Sequence, residues 1–195
     1  MIRTLLQLSQ KWQRSICAIV DIMNTKYELL INITQQNLAA LLRILDKAQS
    51  HVQEKGVEES TLLAARLYPD MMDFTKQVQI ATDYGRKDLA YLAGKEPVKM
   101  DDNETTIAQL KDRVQKSLDV VNTFSVEDFV DADTRKVKLV WFGEKYMFGK
   151  DFVEQFGVSN FLFHIVTAYD ILRSQGVVIG KADFIGEMSM HADAS

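Results

Sequence analysis

From Thr25 to about Lys55 the chain contains neither proline nor glycine, while Tyr27, Leu30, Ile31, Leu38, Leu41, Leu42, Leu45 and Val52 recur at three- and four-residue spacing. That period places them on one face of a long amphipathic helix, which Gly56 stops. Breakers are scarce throughout, with 2 prolines and 9 glycines in 195 residues, so helices should dominate the fold.

The same pattern predicts further helices. A short piece over Glu59–Leu67 runs into Tyr68-Pro69, and Pro69 suits the first position of a second long helix that continues through Leu92 to Gly94. Asp101 and Glu104 resemble a capping box opening a third helix, whose buried stripe is Ile107, Leu110, Val114, Leu118 and Val121. Val137, Leu139 and Trp141 then alternate with Lys136, Lys138 and Val140, the period-two pattern of a strand. Phe142-Gly143-Glu144 reads as a turn and Lys145 to Phe148 as a return strand. An isolated hairpin is marginal in water, so this one must pack on helices. Lys150 to Phe156 predicts a short helix, and Val158 to Ser174 the fourth long one. The expected fold is mainly all-α: a four-helix bundle with a small β-hairpin between the third and fourth long helices.

Residues 1–22 differ in charge from the remainder. Arg3, Lys11 and Arg14 face a single acid, Asp21, giving +2, so residues 23–195 carry −6 of the total −4. Polar residues interrupt any run long enough for a secretory signal. Thr25-Lys26-Tyr27-Glu28 matches a capping box, which would start the first helix there. We therefore expect residues 1–22 to be an extension outside the fold, arising from an upstream mis-assigned start, and 23–195 to be a single domain. The sole cysteine, Cys17, falls in the extension and is given no chemical role. The longest uncharged stretch, Phe156 to Tyr169, is shorter than the ~18 apolar residues that a bilayer span requires. A soluble, cytoplasmic protein is expected, and the acidic balance disfavours a nucleic-acid partner.

Few residues could carry chemistry. Of three histidines, His191 lies in a polar tail, and His51 sits near a helix C-terminus, where an imidazolium complements the dipole. His164 is more informative, because spacing puts it on one helix face with Asn160 and Thr167. On the second helix Asp70 and Gln77 lie seven residues apart, on one side with Phe74 and Ala81. If the two faces meet, Asp70, Gln77, Asn160, His164 and Thr167 form a polar cluster inside an apolar bundle. Such a cluster is either a hydrogen-bonded structural network or the lining of a small-ligand pocket. Zinc sites commonly use a His pair one helical turn apart, but the positions flanking His164 by one turn are Asn160 and Ala168. No metal or other cofactor is expected; if one binds, His164 and Asp70 are its candidate ligands. Phosphate-loop, dinucleotide, nucleophile-elbow and zinc-protease motifs are absent from the sequence. The aromatic group Trp141, Phe142, Tyr146 and Phe148 is expected to pack on the bundle.

Leu67-Tyr68-Pro69-Asp70-Met71 with Gln77-Val78-Gln79-Ile80-Ala81, and Asn160-Phe161-Leu162-Phe163-His164 with Thr167 to Arg173, Gly176 to Gly180 and Asp183-Phe184, resemble the signatures of one family. It is a domain-of-unknown-function family within the DinB/YfiT-like metalloenzyme superfamily, and the resemblance covers roughly residues 24–187. It implies a DinB-like four-helix bundle, often a homodimer. Better-known members hold a divalent metal with three histidines, and some transfer groups to or from low-molecular-weight thiols. The His pair one turn apart is missing here. The expected function is accordingly a helical bundle that is non-enzymatic or binds a small molecule at the cluster around His164. The alternative is a divalent-metal-assisted transferase or hydrolase of the DinB-like type.

Overall fold

The computed structural model describes residues 2–191, and side chains over residues 26–191. Four long helices build it: α1 (Ile2–Lys55), α3 (Phe74–Ala93), α4 (Ile107–Val121) and α6 (Val158–Ser174). Three short helices accompany them: α2 (Glu59–Leu63), α5 (Gly149–Phe152) and α7 (Lys181–Ile185). Helix α1 packs against α4 and α6, and α3 against α4 and α6, so the four close around one core. The periodic residues fill it. Leu38, Leu41, Ile44 and Leu45 of α1 are fully buried with Phe74, Val78 and Leu92 of α3, Leu110 and Val114 of α4, and Ile165, Ile171 and Leu172 of α6. Each such side chain contributes roughly 1.5–3 kcal/mol by leaving water, which is why the three-and-four spacing decides the architecture.

Helix ends were harder to read from the sequence, and several expectations need correction. Helix α1 runs from Ile2, so Thr25-Lys26-Tyr27-Glu28 lies within it instead of opening it. Among the described side chains, its core-facing stripe begins at Tyr27, which stacks on Phe129 at 4.9 Å. Cys17 lies outside the described side chains. Helix α2 ends at Leu63, and Pro69 does not start the second long helix. Arg66 instead donates to the Met71 carbonyl at 3.0 Å, and the Met71 amide donates to the Tyr68 carbonyl at 3.0 Å, closing a turn over residues 68–71. Asp73 then caps α3 by accepting from the Lys76 amide at 2.9 Å. A carboxylate that satisfies a free amide outweighs a proline that merely tolerates the position. Gly94 ends α3 with φ 68°, a left-handed conformation that suits glycine at a helix stop.

Helix α4 likewise begins later than Asp101. Thr106 caps it by accepting from the Gln109 amide at 3.1 Å, while Asp101 and Glu104 serve Arg113 instead. The hairpin lies between α4 and α6 as expected but is brief, pairing Lys136 with Phe148 and Val137 with Met147. Val140 to Phe142 form a 3-10 turn, not strand, and Gly143 follows with φ 61°. Of the aromatic group, Trp141 and Phe142 meet Phe156 at 5.2 and 6.2 Å, whereas Tyr146 and Phe148 pair with each other and stay exposed. A π-helical turn, Val153–Gly157, leads from α5 into α6. Among the described residues no helix is long and apolar enough to cross a membrane.

Candidate functional site

The contact between α3 and α6 brings His164 against Gln77. His164 is 9% exposed, and its Nδ1 lies 2.7 Å from Gln77 Oε1. The Gln77 amide cannot be turned around, because its Nε2 donates to the Met72 carbonyl at 3.2 Å. An amide oxygen only accepts, so Nδ1 carries the proton and Nε2 keeps a free lone pair. Nε2 makes no hydrogen bond among the described residues, and it is not sealed from solvent. Tyr84 lies parallel to the imidazole at 6.0 Å and Phe163 meets it edge-on at 5.3 Å. Burial among these groups lowers the His164 pKa to about 4, so the ring is neutral at pH 7.

A cleft of about 330 Å³ opens beside this ring. One wall is a single stripe of α3: Ile80, Asp83, Tyr84, Lys87, Asp88 and Tyr91 recur at the helical period. The facing wall is Leu139, Val140 and Trp141, carried there by the turn that ends the first strand. Trp141 stays 61% exposed at the rim and packs edge-on to Phe142 at 4.4 Å.

The two aspartates of the stripe have opposite environments. Burial alone would raise the Asp83 carboxyl, but hydrogen bonds from Lys87 and Arg86 outweigh it and hold the group below its ordinary range. Arg86 Nη1 reaches Asp83 at 2.6 Å and Arg113 Nη2 at 2.8 Å, with Lys87 on the other oxygen. Arg113, almost wholly buried, also binds Glu104 and Asp102 at 2.9 Å and donates to the Thr82 hydroxyl at 2.7 Å. Asp88 has none of this. It is 6% exposed, its Oδ1 is sealed without a partner, and neither oxygen is hydrogen-bonded among the described residues. Burial pushes its carboxyl well above the ordinary value, and nearby Lys87 offsets that only in part.

Of the residues singled out from sequence, only Gln77 and His164 bond to each other. Thr167 is buried, but its hydroxyl donates to the Phe163 carbonyl of its own helix at 2.7 Å. Asn160 lies near the Tyr84 hydroxyl, and its buried Nδ2 has no partner of hydrogen-bonding geometry. Asp70 is the correction: it sits exposed on the turn before α3, because the helix begins at Phe74 and the Asp70–Gln77 register never forms. His51 lies beside Gly176, twelve residues beyond His164 and therefore ~18 Å further along that helical direction. Neither Asp70 nor His51, the partners that the sequence offered, reaches His164 to complete a ligand set. Among the described residues no group of three His, Cys, Asp or Glu side chains could hold a metal ion. The residues present thus do not fit the three-histidine metal centre that the fold family implies.

Sequence reasoning missed Tyr84, Asp88 and Trp141. For Tyr84 and Asp88 the signal lies in the 80-83-84-87-88-91 spacing, one stripe over from the face that carries Gln77.

The family described as domain of unknown function (DUF1993) matches residues 26–185. The crystal structure of a DinB family member protein from Shewanella denitrificans superimposes with a TM-score of 0.83 at 35% identity. That match covers 89% of this chain and 98% of the other. No curated protein matches.

Proposed function

The chain belongs to the DUF1993 family, within the DinB-like superfamily, and we propose that its cleft beside His164 binds a small organic molecule. The observation that carries this reading is the imidazole locked by Gln77 and Met72, which offers a free Nε2 lone pair to an aromatic cleft. Ligand pockets are typically ~300–1,000 Å³, mostly apolar, with a few fixed polar groups, and this cleft falls within that description. Binding is favoured over acid–base catalysis because a general base works best with a pKa near the operating pH, whereas His164 lies near 4. At pH 7 it is a steady acceptor and a weak base.

The test uses Trp141. With Trp12→Phe it becomes the only tryptophan, and its fluorescence reports occupancy of the rim. Small aromatic and aliphatic fragments should change that signal saturably. His164→Phe keeps the ring and removes the acceptor, so it should weaken binding about tenfold, the effect of one lost hydrogen bond. Fragments that never bind, or that bind His164→Phe equally well, would refute the reading.

Homodimerisation belongs to the same proposal, supported by Phe163 and Val166 exposed on α6. Sedimentation showing a monomer at every accessible concentration would remove it. A charge of −6 over residues 23–195 disfavours a nucleic-acid partner.

A further inference from the structure

The cleft wall contains one charge-bearing group that the fold leaves unanswered. Asp88 is more than nine-tenths buried, and neither of its oxygens accepts a hydrogen bond among the described residues. Behind it the packing is mainly apolar, and Phe152 and the π-helical turn at Gly157 help close a void of about 10 Å³. A Cβ at Gly157 would stand 3.2 Å from Asp88 Oδ2, so that side offers no room for a partner larger than water. The nearest cation, Lys87, has its ammonium on Asp83. Asp88 also lines the cleft, with the rings of Tyr84, Tyr91 and Trp141, and with Oδ1 sealed it is Oδ2 that a ligand entering from there would have to meet.

These groups share one preference. An unpaired carboxylate, an imidazole lone pair and three aromatic rings each attract a hydrogen-bond donor or a cation. We propose that the ligand of this cleft is a protonated organic amine with an apolar body, its ammonium seated on Asp88 and against the aromatic rings, its body on Met72, Ile80 and Leu139. This rests on the reading of the cleft as a ligand pocket and adds the charge class of the ligand. An ammonium would give Asp88 the partner it lacks, and one of its N–H groups could be accepted by His164 Nε2. Anionic ligands find no such partner, since Lys87 is already engaged by Asp83.

Three probes of one shape separate the claims: benzylamine, which is cationic at pH 7, neutral benzyl alcohol, and anionic benzoate. Titration calorimetry on the full-length protein should show benzylamine binding about tenfold more tightly than benzyl alcohol, with benzoate weakest, as expected for a cation seated on rings beside a carboxylate. Asp88→Asn keeps the shape, and there benzylamine and benzyl alcohol should bind alike. Equal binding of all three probes, a preference for benzoate, or a benzylamine preference that survives Asp88→Asn overturns the amine assignment while leaving a ligand pocket standing. If none of the three binds and the wider fragment series also fails, the pocket reading falls and the amine assignment falls with it. The selectivity of the unaltered protein decides the charge class even if Asp88→Asn does not fold.

Discussion

Replacing Asp88 with asparagine should steepen the loss of stability that acidification causes. His164 titrates near 6.5 when unfolded and about 4 when folded. Between those values the unfolded chain binds more protons, so stability falls as pH falls, by about 2 kcal/mol from pH 7 to pH 5. Asp88 acts in the opposite sense. Its folded carboxyl is held well above the ordinary range, so the folded state holds the extra proton and stability rises as pH falls through that raised value. A single such group supplies at most ~1.4 kcal/mol per pH unit, comparable to the histidine's slope. Acidification from pH 7 to 5 should therefore destabilise Asp88→Asn, which keeps only the histidine's loss of about 2 kcal/mol, more than it destabilises the wild-type protein. His164→Phe should do the reverse and gain stability on acidification. The carboxyls of Asp83, Asp128, Asp133 and Asp183 are held low, so their contributions are present above the unfolded value near 3.9, are lost only as pH falls below it, and leave the pH 5–7 slopes unaffected. Urea unfolding at pH 5, 6 and 7, followed by circular dichroism at constant m, measures these slopes. Parallel wild-type and Asp88→Asn profiles would refute the assignment of a buried, unpaired carboxyl. The absolute stability of the variant is not the readout, since a buried amide brings its own unsatisfied groups, at about 1–3 kcal/mol.

Three further outcomes follow from the geometry. Gly149→Ala places a Cβ 2.0 Å from the Ala132 carbonyl oxygen, where backbone must move, and should cost about 2–3 kcal/mol; an unchanged melting temperature would show that α5 does not sit so tightly. Arg113→Met leaves Asp83, Glu104 and Asp102 short of a shared buried partner and should cost about 3–5 kcal/mol in urea unfolding, a loss under ~1 kcal/mol contradicting the network. Protein purified without a histidine tag should contain zinc and nickel well below one per chain by elemental analysis. Stoichiometric metal that disappears in His164→Ala would restore the metal-assisted reading.

The long helices were legible because burial repeats. Leu38, Leu41 and Leu45, or Ile165, Ala168 and Leu172, announce one face several times over, and no local detail overrides it. Helix starts were less legible because a single side-chain contact, absent from any hydrophobic period, decides them. Pro69 and Asp73 are both acceptable openings, and the choice fell to Arg66, whose guanidinium holds the turn at residues 68–71. Asp101 and Glu104 looked like a cap for α4 until Arg113, buried two turns into that helix, drew both toward itself. At the site, Gln77 and His164 could be paired from face registers alone. Asp70 could not be excluded, because its place depended on that same misread start.

Asp88 was illegible for a more general reason. An aspartate flanked by Lys87 on a helix of alternating charge reads as solvated, and only the packing of Phe152 and Gly157 takes its water away. The same desolvation acts on His164 and Asp88, yet in opposite directions on the pH scale, since it disfavours whichever form is charged. Desolvation thus biases both groups toward their neutral forms, the less costly state for polar groups facing apolar walls. Filling it with an ammonium reverses that for the carboxyl: the cation favours the ionised form, and a proton should leave Asp88 as the ligand enters. His164 has no carboxylate behind it and only the neutral Gln77 oxygen on Nδ1, so it stays neutral and accepts. The pair thus divides its roles, one group changing charge with occupancy and the other fixing orientation. Benzylamine titrations in buffers of different ionisation enthalpy should detect the released proton in the wild-type protein and its absence in Asp88→Asn. Binding without proton release at pH 6 would mean that Asp88 is already ionised in the empty cleft, contrary to its desolvated setting.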